Sequence, residues 1–127
     1  MSDIQYLPIS RVDPDFLRRL LDREEEAWLS ELAWDYSPIR RILATYISRK
    51  LLPGYVAVRD GEAQGYIYFL IHQTKGTIGS RYVLKTARAW DMVVGLLSLA
   101  VSNLRDSPGI ERIEAQAMPT PAIESQS

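Results

Sequence analysis

The sequence predicts one α/β (α+β) domain with a mixed, mostly antiparallel sheet flanked by helices. Apolar residues recur with a helical period in the first part of the chain and again over residues 87–104. Between them, three segments of strand character are separated by short turns. With 127 residues, 46% of them hydrophobic and 24% charged, the chain is long enough for one hydrophobic core and unlike a disordered segment.

The first elements are a short strand and a helix. Ile4 to Ile9 has strand character. Asp13-Pro14 then supplies a helix N-cap and a proline at the first helical position, where the missing N–H has no cost. This predicts a helix from Pro14 to about Trp34, whose charged middle, residues 22–26, is expected to be solvated.

A second helix follows the start signal Ser37-Pro38. Its apolar side chains recur at i, i+3, i+4, i+7 and i+8, which is typical of an amphipathic helix. They are Ile39, Ile42, Leu43, Tyr46 and Ile47. Pro53-Gly54 is expected to end the helix.

Three strands come next. Tyr55 to Arg59 is followed by Asp60-Gly61, a strong hairpin-turn signal. Gln64 to His72 is almost continuously apolar, which predicts burial on both faces of the sheet. After a turn at residues 73–76, Thr77 to Leu84 completes an antiparallel meander.

The last elements are a long helix and a strand. Ala87 to Leu104 carries one apolar face and is long enough for a parallel crossover. Residues 107–109 end it, and Ile110 to Met118 alternates as a strand does. We therefore predict a β-α-α-β-β-β-α-β domain over residues 1–118 and a flexible tail over 119–127.

The composition excludes several classes of function. Because the chain has no cysteine, it has no disulfide, thiolate zinc site or cysteine nucleophile, and its one histidine excludes a multi-histidine metal site. With 15 Lys and Arg against 16 Asp and Glu, no strong field favours nucleic acid or an anionic membrane. The chain start lacks the features of a signal peptide, and no apolar run approaches the ~20 residues of a membrane helix. We expect a soluble, cytoplasmic protein without a metal site, nucleic-acid partner or membrane contact.

Four short segments and the order of elements carry a resemblance to a known family. The segments are Val58 to Tyr66, Tyr82 to Leu84, Leu96-Leu97 and Ile113 to Ala115. In this order they resemble the GNAT superfamily of N-acetyltransferases. They are similar to the family's second hairpin, the end of its fourth strand, the paired aliphatic residues of its third helix and the start of its fifth strand. The resemblance covers roughly Ile4 to Ala117. It implies acetyl-CoA, or another acyl-CoA, as cosubstrate and an amine as acceptor.

The resemblance also implies where acyl-CoA binds. Tyr82, Val83 and Leu84 are similar to the strand whose backbone meets the pantetheine arm. In the family, a loop reading Q/R-x-x-G-x-G/A then holds the pyrophosphate at the start of the third helix. Alignment without a gap puts Arg88 at the first position of this loop, with Ala89 behind it. The alternative for Arg88 is a solvated residue at a helix start.

The same loop departs from the family pattern at its small residues. Asp91 replaces the first glycine and Val93 the last small residue. A carboxylate in the first helical turn suits the free N–H groups there, so Asp91 would compete with phosphate. We therefore predict weak acetyl-CoA binding that improves when both residues are replaced by glycine.

The resemblance covers only the first two-thirds of the domain that is typical of the family. The family continues with a fourth helix and two further strands, a region that commonly supplies a tyrosine as general acid. Three hypotheses follow: an N-acyltransferase, a non-catalytic binding or regulatory module, and a truncated domain completed by dimerisation. The strand Ile110 to Met118 would have an open edge, which predicts a homodimer through that edge.

Transfer to an amine needs a base, or an acceptor that arrives unprotonated. The weak candidates for the base are Glu62, His72 and Glu114. The alternatives are a structural role at a strand end for His72 and a solvent-facing strand position for Glu114, and the pattern favours both alternatives.

Trp34, Asp35 and Tyr36 lie between the first two helices, a region that often faces the acceptor in the family. Aromatic rings beside a carboxylate suit an amine. The alternative is an interhelix packing corner.

Overall fold

The computed structural model describes residues 3–115 and confirms the predicted order of elements. Those residues form strands β1 (Gln5–Pro8), β2 (Gly54–Arg59), β3 (Glu62–His72), β4 (Lys75–Val83) and β5 (Arg112–Ala115). Their helices are α1 (Arg18–Leu32), α2 (Ser37–Ser48) and α3 (Ala89–Asp106). The tail predicted over 119–127, and the last residues of the predicted final strand, lie outside the described range.

The strands form one sheet in the order β1-β2-β3-β4-β5. The first four are antiparallel neighbours, and β5 pairs in parallel with β4 after the α3 crossover. The hairpin predicted at Asp60-Gly61 is confirmed, because both residues have positive φ angles of 56° and 76°. A mixed, mostly antiparallel sheet is therefore the architecture, as predicted.

Helices cover both faces of the sheet. One core cluster joins α1 and α2 to the sheet and includes Tyr66 and Tyr82. The other joins α3 to the opposite face and includes Ile67 and Val83. Consecutive residues of one strand point to opposite faces, so the centre of β3 is buried on both, as its apolar run predicts. The last three residues of β3, Leu70 to His72, are exposed, so the predicted burial is wrong at this end of the strand. Here β3 extends past its last pair with β2, which joins Tyr68 and Gly54.

The first helix differs in part from its prediction. The side chain of Asp13 accepts a hydrogen bond from the N–H of Asp15 at 2.9 Å, which confirms the N-cap. Residues Pro14–Leu17 then form a 3-10 turn, and the α-helix begins only at Arg18. The change of helix type at this point reflects the common use of 3-10 turns at helix ends.

Glu24 contradicts the prediction that the charged middle of α1 is solvated. Its side chain is fully buried between α1 and the sheet. One carboxylate oxygen accepts a hydrogen bond from the Tyr66 hydroxyl at 2.5 Å, and the other accepts one from Trp28 Nε1 at 3.2 Å. Because a buried carboxylate is tolerated only where donors compensate for lost water, these bonds account for its position.

Candidate functional site

Within residues 3–115, the second half of β4 has no strand paired along its outer edge. β5 pairs with β4 only from Lys75 to Ile78. In the pairing of β3 with β4, Ile67 faces Arg81 and Phe69 faces Ile78, so β4 holds one extra residue between these pairs. A bulge of this kind bends a strand and ends regular pairing. Among residues 3–115, no strand pairs with the edge of β4 beyond Ile78.

The open edge presents main-chain hydrogen-bonding groups. The N–H of Leu84 donates to the carbonyl of Gln64 at 2.8 Å, so Leu84 faces β3. Since successive residues of an antiparallel strand alternate in direction, the N–H and C=O groups of Val83 and Arg81 face the open edge. This edge can pair with an extended ligand that carries amide groups.

The edge leads to the start of α3. The first-turn N–H groups of Trp90 and Asp91 precede the first intrahelical donor, Met92, and no N-cap side chain accepts from them. Such a helix start attracts anions. The Asp91 carboxylate lies in the same turn and accepts a hydrogen bond from Arg88 Nε at 2.7 Å. Arg88, the predicted phosphate contact, is thus paired with the residue predicted to compete with phosphate.

Val93 occupies a different place from the one its alignment suggests. Its side chain is 1% exposed and packs in the core between α3 and the sheet. It therefore does not extend into solvent at the start of α3, where an anion would approach. Of the two departures from the family pattern, Asp91 alone places a side chain at the accessible helix start.

Arg81 is a further residue of this region that the sequence analysis missed. It is half-buried, and its Nε is buried without a hydrogen-bond partner among residues 3–115. Burial lowers the pKa of its guanidinium. Nothing local marks Arg81 in the sequence, because the burial of a charged side chain depends on tertiary surroundings.

A cleft of about 510 Å³ lies between α1 and the adjoining ends of β3 and β4. We call it the α1 cleft. Residues of α1 that line it are Arg19, Arg23, Glu26, Ala27, Ser30 and Glu31. Residues from the sheet side are Glu62, Gln64, Tyr82, Leu84, Lys85 and Thr86.

Tyr82 links the α1 cleft to the β4 edge. Its side chain packs against the α1 and α2 cluster and is 5% exposed, while the main-chain groups of its neighbours Arg81 and Val83 face the edge. Burial raises the pKa of the Tyr82 hydroxyl to about 12. The charge of Arg23 lowers this pKa, whereas three carboxylates of α1 raise it, those of Glu24, Glu31 and Glu26. The hydroxyl is therefore a hydrogen-bonding group and not a base at neutral pH.

The three predicted base candidates are not brought together. Glu62 lines the α1 cleft and pairs with Arg19 at 3.2 Å. His72 lies at the other end of the 11-residue strand β3, about 33 Å away by strand rise. Glu114 is exposed and pairs with Arg112 at 2.8 Å, near the His72 end of the sheet. Only Glu62 lies near the segment predicted to bind acyl-CoA.

The three predicted acceptor residues form part of a packing corner. Trp34 and Tyr36 pack on Trp28, with ring centroids 4.8 and 5.6 Å apart, and Tyr36 is 2% exposed. Asp35 is exposed, and its side chain accepts a hydrogen bond from the N–H of Ser37 at 3.0 Å. Hydrogen bonds from the Ser37 side chain and from its backbone N–H lower the pKa of the Asp35 carboxyl. The geometry explains all three residues without a ligand, and their contact with an acceptor stays a prediction.

Comparison with solved structures places this fold among acetyltransferases. A possible acetyltransferase from Clostridium difficile matches with a TM-score of 0.65 and 11% identity, over 91% of this chain and 80% of that one. A GCN5-related N-acetyltransferase from Ralstonia eutropha gives 0.63 and 20%, over 92% and 84%. A predicted acetyltransferase from Clostridium acetobutylicum, solved with acetyl-CoA, gives 0.61 and 18%, over 92% and 81%. No family model and no curated protein matches the chain.

The chain therefore has the GNAT fold, and the resemblance on which the sequence analysis relied is confirmed at the level of fold. Structural matches at 11–20% sequence identity establish the fold of this chain. They do not establish its chemistry, which is argued from the site. Among the described residues, no helix is long and apolar enough to cross a membrane.

Proposed function

We propose that this chain binds acyl-CoA along the β4 edge and at the start of α3, and transfers the acyl group to an amine. The observation that carries the proposal is the open, bulged edge of β4 leading directly to a helix start, in a fold shared with acetyltransferases. Of the predicted cosubstrate contacts, Val83 presents its main-chain groups to this edge, and Arg88 and Ala89 lie at the helix start. The main-chain groups of Tyr82 and Leu84 face β3 instead. The predicted cytoplasmic location stays a prediction.

The β4 edge fits the pantetheine arm of coenzyme A. That arm is extended and contains two amide groups, which can pair with main-chain N–H and C=O groups as a strand does. Val83 and Arg81 present such groups at alternate positions. The side chains of this segment are not required for the pairing. The strand can therefore bind the pantetheine arm although its sequence contains no distinctive motif.

In the proposed reaction, the unprotonated amine nitrogen attacks the thioester carbonyl carbon. A C–N bond forms and the C–S bond breaks, so the products are an amide and the thiolate of coenzyme A. The ammonium loses one proton to solvent before attack and the nitrogen loses a second as the amide forms, while the thiolate takes one up. Glu62 is the one predicted base that lies near enough to the cleft to assist this transfer.

The start of α3 fits the pyrophosphate only in part. Free N–H groups of the first turn favour an anion, whereas the carboxylate of Asp91 repels it and holds Arg88. One unfavourable charge at a partly exposed site corresponds to about 1–2 kcal/mol, or roughly ten-fold in affinity. We therefore propose a cosubstrate affinity well below that of a loop with glycine at this position.

The Arg88–Asp91 pair also favours a second candidate function, that of a non-catalytic binding module. A helix start that supplies its own carboxylate has less need of a phosphate. A third candidate is a site completed by a second copy of the chain. Among residues 3–115, β5 is the last strand of the sheet, and an unpaired strand edge is suited to homodimer formation.

An assay of thiol release distinguishes these candidates. Because the chain has no cysteine, a thiol-reactive chromogenic disulfide detects only the coenzyme A that is released from acetyl-CoA. We expect release that depends on an added amine and on the protein. If a second copy completes the site, the specific activity rises with protein concentration. No amine-dependent release at any protein concentration would contradict the proposed transfer and favour the binding module.

A further inference from the structure

The α1 cleft carries equal numbers of basic and acidic side chains, and most of them pair with each other. Arg19 pairs with Glu62 at 3.2 Å across the mouth between α1 and β3. Lys85 and Glu31 lie 4.0 Å apart where the loop after β4 meets the end of α1. These two pairs hold α1 against the sheet at both ends of the cleft.

Arg23 and Glu26 are the remaining two charges. Both are exposed in the cleft, and neither forms an ion pair within the described part of the chain. They are three residues apart on α1, so they share one helical face with their Cβ atoms about 5–6 Å apart. Tyr82 lines the same cleft from the sheet side.

We infer that the α1 cleft binds the acceptor of the proposed transfer, and that this acceptor is a free α-amino acid. Arg23 holds its carboxylate and Glu26 its ammonium group before deprotonation. An α-amino acid carries these two opposite charges on groups bonded to the same carbon, which matches two opposite charges one helical turn apart. This inference rests on the proposed function, because only the proposed transfer makes the bound amino acid an acceptor.

Charge balance selects this class of ligand over its alternatives. A simple amine would pair with Glu26 and leave Arg23 without a partner, and a simple carboxylic acid would do the reverse. An α-amino acid can pair with both side chains at once, so it gains two charge-assisted hydrogen-bonding contacts where an amine or an acid gains one. The volume of about 510 Å³ lies within the range of about 300–1,000 Å³ that small-molecule sites occupy.

The position of the cleft suits an acceptor site. Tyr82 and Leu84 line it from the sheet, while the main-chain groups of Arg81 and Val83 face the β4 edge. The amino acid and the acyl-CoA would therefore reach the same short segment of β4 from different sides. Tyr82 can hydrogen-bond the bound amino acid from the cleft wall.

Ligand-observed NMR without acyl-CoA tests the inference. Pools of the common L-amino acids are compared with pools of their methyl esters, which keep the amine, and of their N-acetyl derivatives, which keep the carboxylate. We expect at least one free amino acid to bind. Both kinds of derivative should bind at least about ten-fold more weakly than that amino acid, because each loses a charged hydrogen bond. Absence of binding by any free amino acid, or equal binding of the esters, would overturn the inference.

Substitutions of Arg23 and Glu26 provide a second test of the inference. Arg23→Gln and Glu26→Gln should each weaken amino-acid binding by about ten-fold or more. Arg18→Gln is the matched control, since Arg18 lies on the same helix, pairs with Asp15 outside the cleft, and should leave binding unchanged. Unchanged binding in Arg23→Gln, with a circular dichroism spectrum like that of the original chain, would also overturn the inference.

The two proposals fail separately in these experiments. If an amino acid binds but no thiol release follows with acetyl-CoA, the cleft is a ligand site and the transfer is wrong. If thiol release occurs equally well with amines that lack a carboxylate, the transfer stands and the amino-acid inference is wrong.

Discussion

Replacing Tyr66 by phenylalanine should lower the free energy of unfolding by about 3 kcal/mol. The hydroxyl of Tyr66 is buried and donates to the carboxylate of Glu24 at 2.5 Å. Its loss removes a donor from a fully buried charge that water cannot reach. Urea denaturation followed by circular dichroism measures the difference. Tyr46→Phe is the matched control, because Tyr46 is 43% exposed on α2 and should change stability by less than about 0.5 kcal/mol.

A double-mutant cycle identifies the charge as the cause. In a chain that also carries Glu24→Gln, the same Tyr66→Phe change should have a much smaller effect, since a neutral amide tolerates the loss of a donor better than a carboxylate. Burial, followed by the charge of Glu24, raises the pKa of the Tyr66 hydroxyl well above its ordinary value. Equal effects of Tyr66→Phe in both backgrounds would contradict this account of the buried pair.

Local signals account for the parts of the fold that the sequence predicts well. Asp60-Gly61 needs positive φ angles that these residues tolerate, so the turn and the strands on each side of it follow from a few residues. The face of α3 follows from the spacing of its apolar residues, and the structure buries Val93, Leu96, Ala100 and Leu104 as that spacing predicts.

The buried glutamate shows where a charge pattern misleads. Glu24 lies three and four residues after Leu21 and Leu20, and four before Trp28, so it belongs to the buried face of α1. This spacing could have identified it, although its charge suggests solvent. On α2 the opposite error occurs: Ile42 is 58% exposed, because the sheet side of the helix takes up only Leu43 and Ile47.

The candidate site depends more on tertiary structure. The predicted segment from Tyr82 to Ala89 lies where the outer edge of β4 meets a helix start. Which of its main-chain groups face that edge depends on the register of β4 against β3. The charges of the α1 cleft come from α1, β3 and the loop after β4, which are distant in sequence. No local pattern in a single sequence brings such residues together.

Replacing Asp91 by asparagine should raise the affinity for acetyl-CoA by about ten-fold. The change removes the charge that opposes the pyrophosphate and frees Arg88 from its 2.7 Å hydrogen bond. Asparagine keeps the size of the side chain. It is a cleaner change than glycine at both Asp91 and Val93, because glycine at Val93 would also remove a side chain from the core.

Calorimetric titration of acetyl-CoA into the variant and the original chain measures this difference. Asp106→Asn, at the far end of α3, is the control for a change of net charge and should leave the affinity unchanged. Adding Arg88→Gln to Asp91→Asn should abolish most of the gain. An original chain that already binds at low micromolar concentration, or an Asp91→Asn variant that folds normally and binds no better, would show that Asp91 does not limit binding.

The most direct test of acyl-CoA binding at this place is a titration of the isotope-labelled chain with acetyl-CoA, followed by the backbone amide signals in NMR spectra. The account predicts saturable shifts, at concentrations above the low micromolar range, for the amides of Arg81 and Val83 at the β4 edge and of residues 86–91 at the start of α3. Amides on α2, which packs on the opposite face of the sheet from α3, should stay unchanged. Shifts concentrated elsewhere on the molecule, or no shifts at millimolar acetyl-CoA, would contradict it.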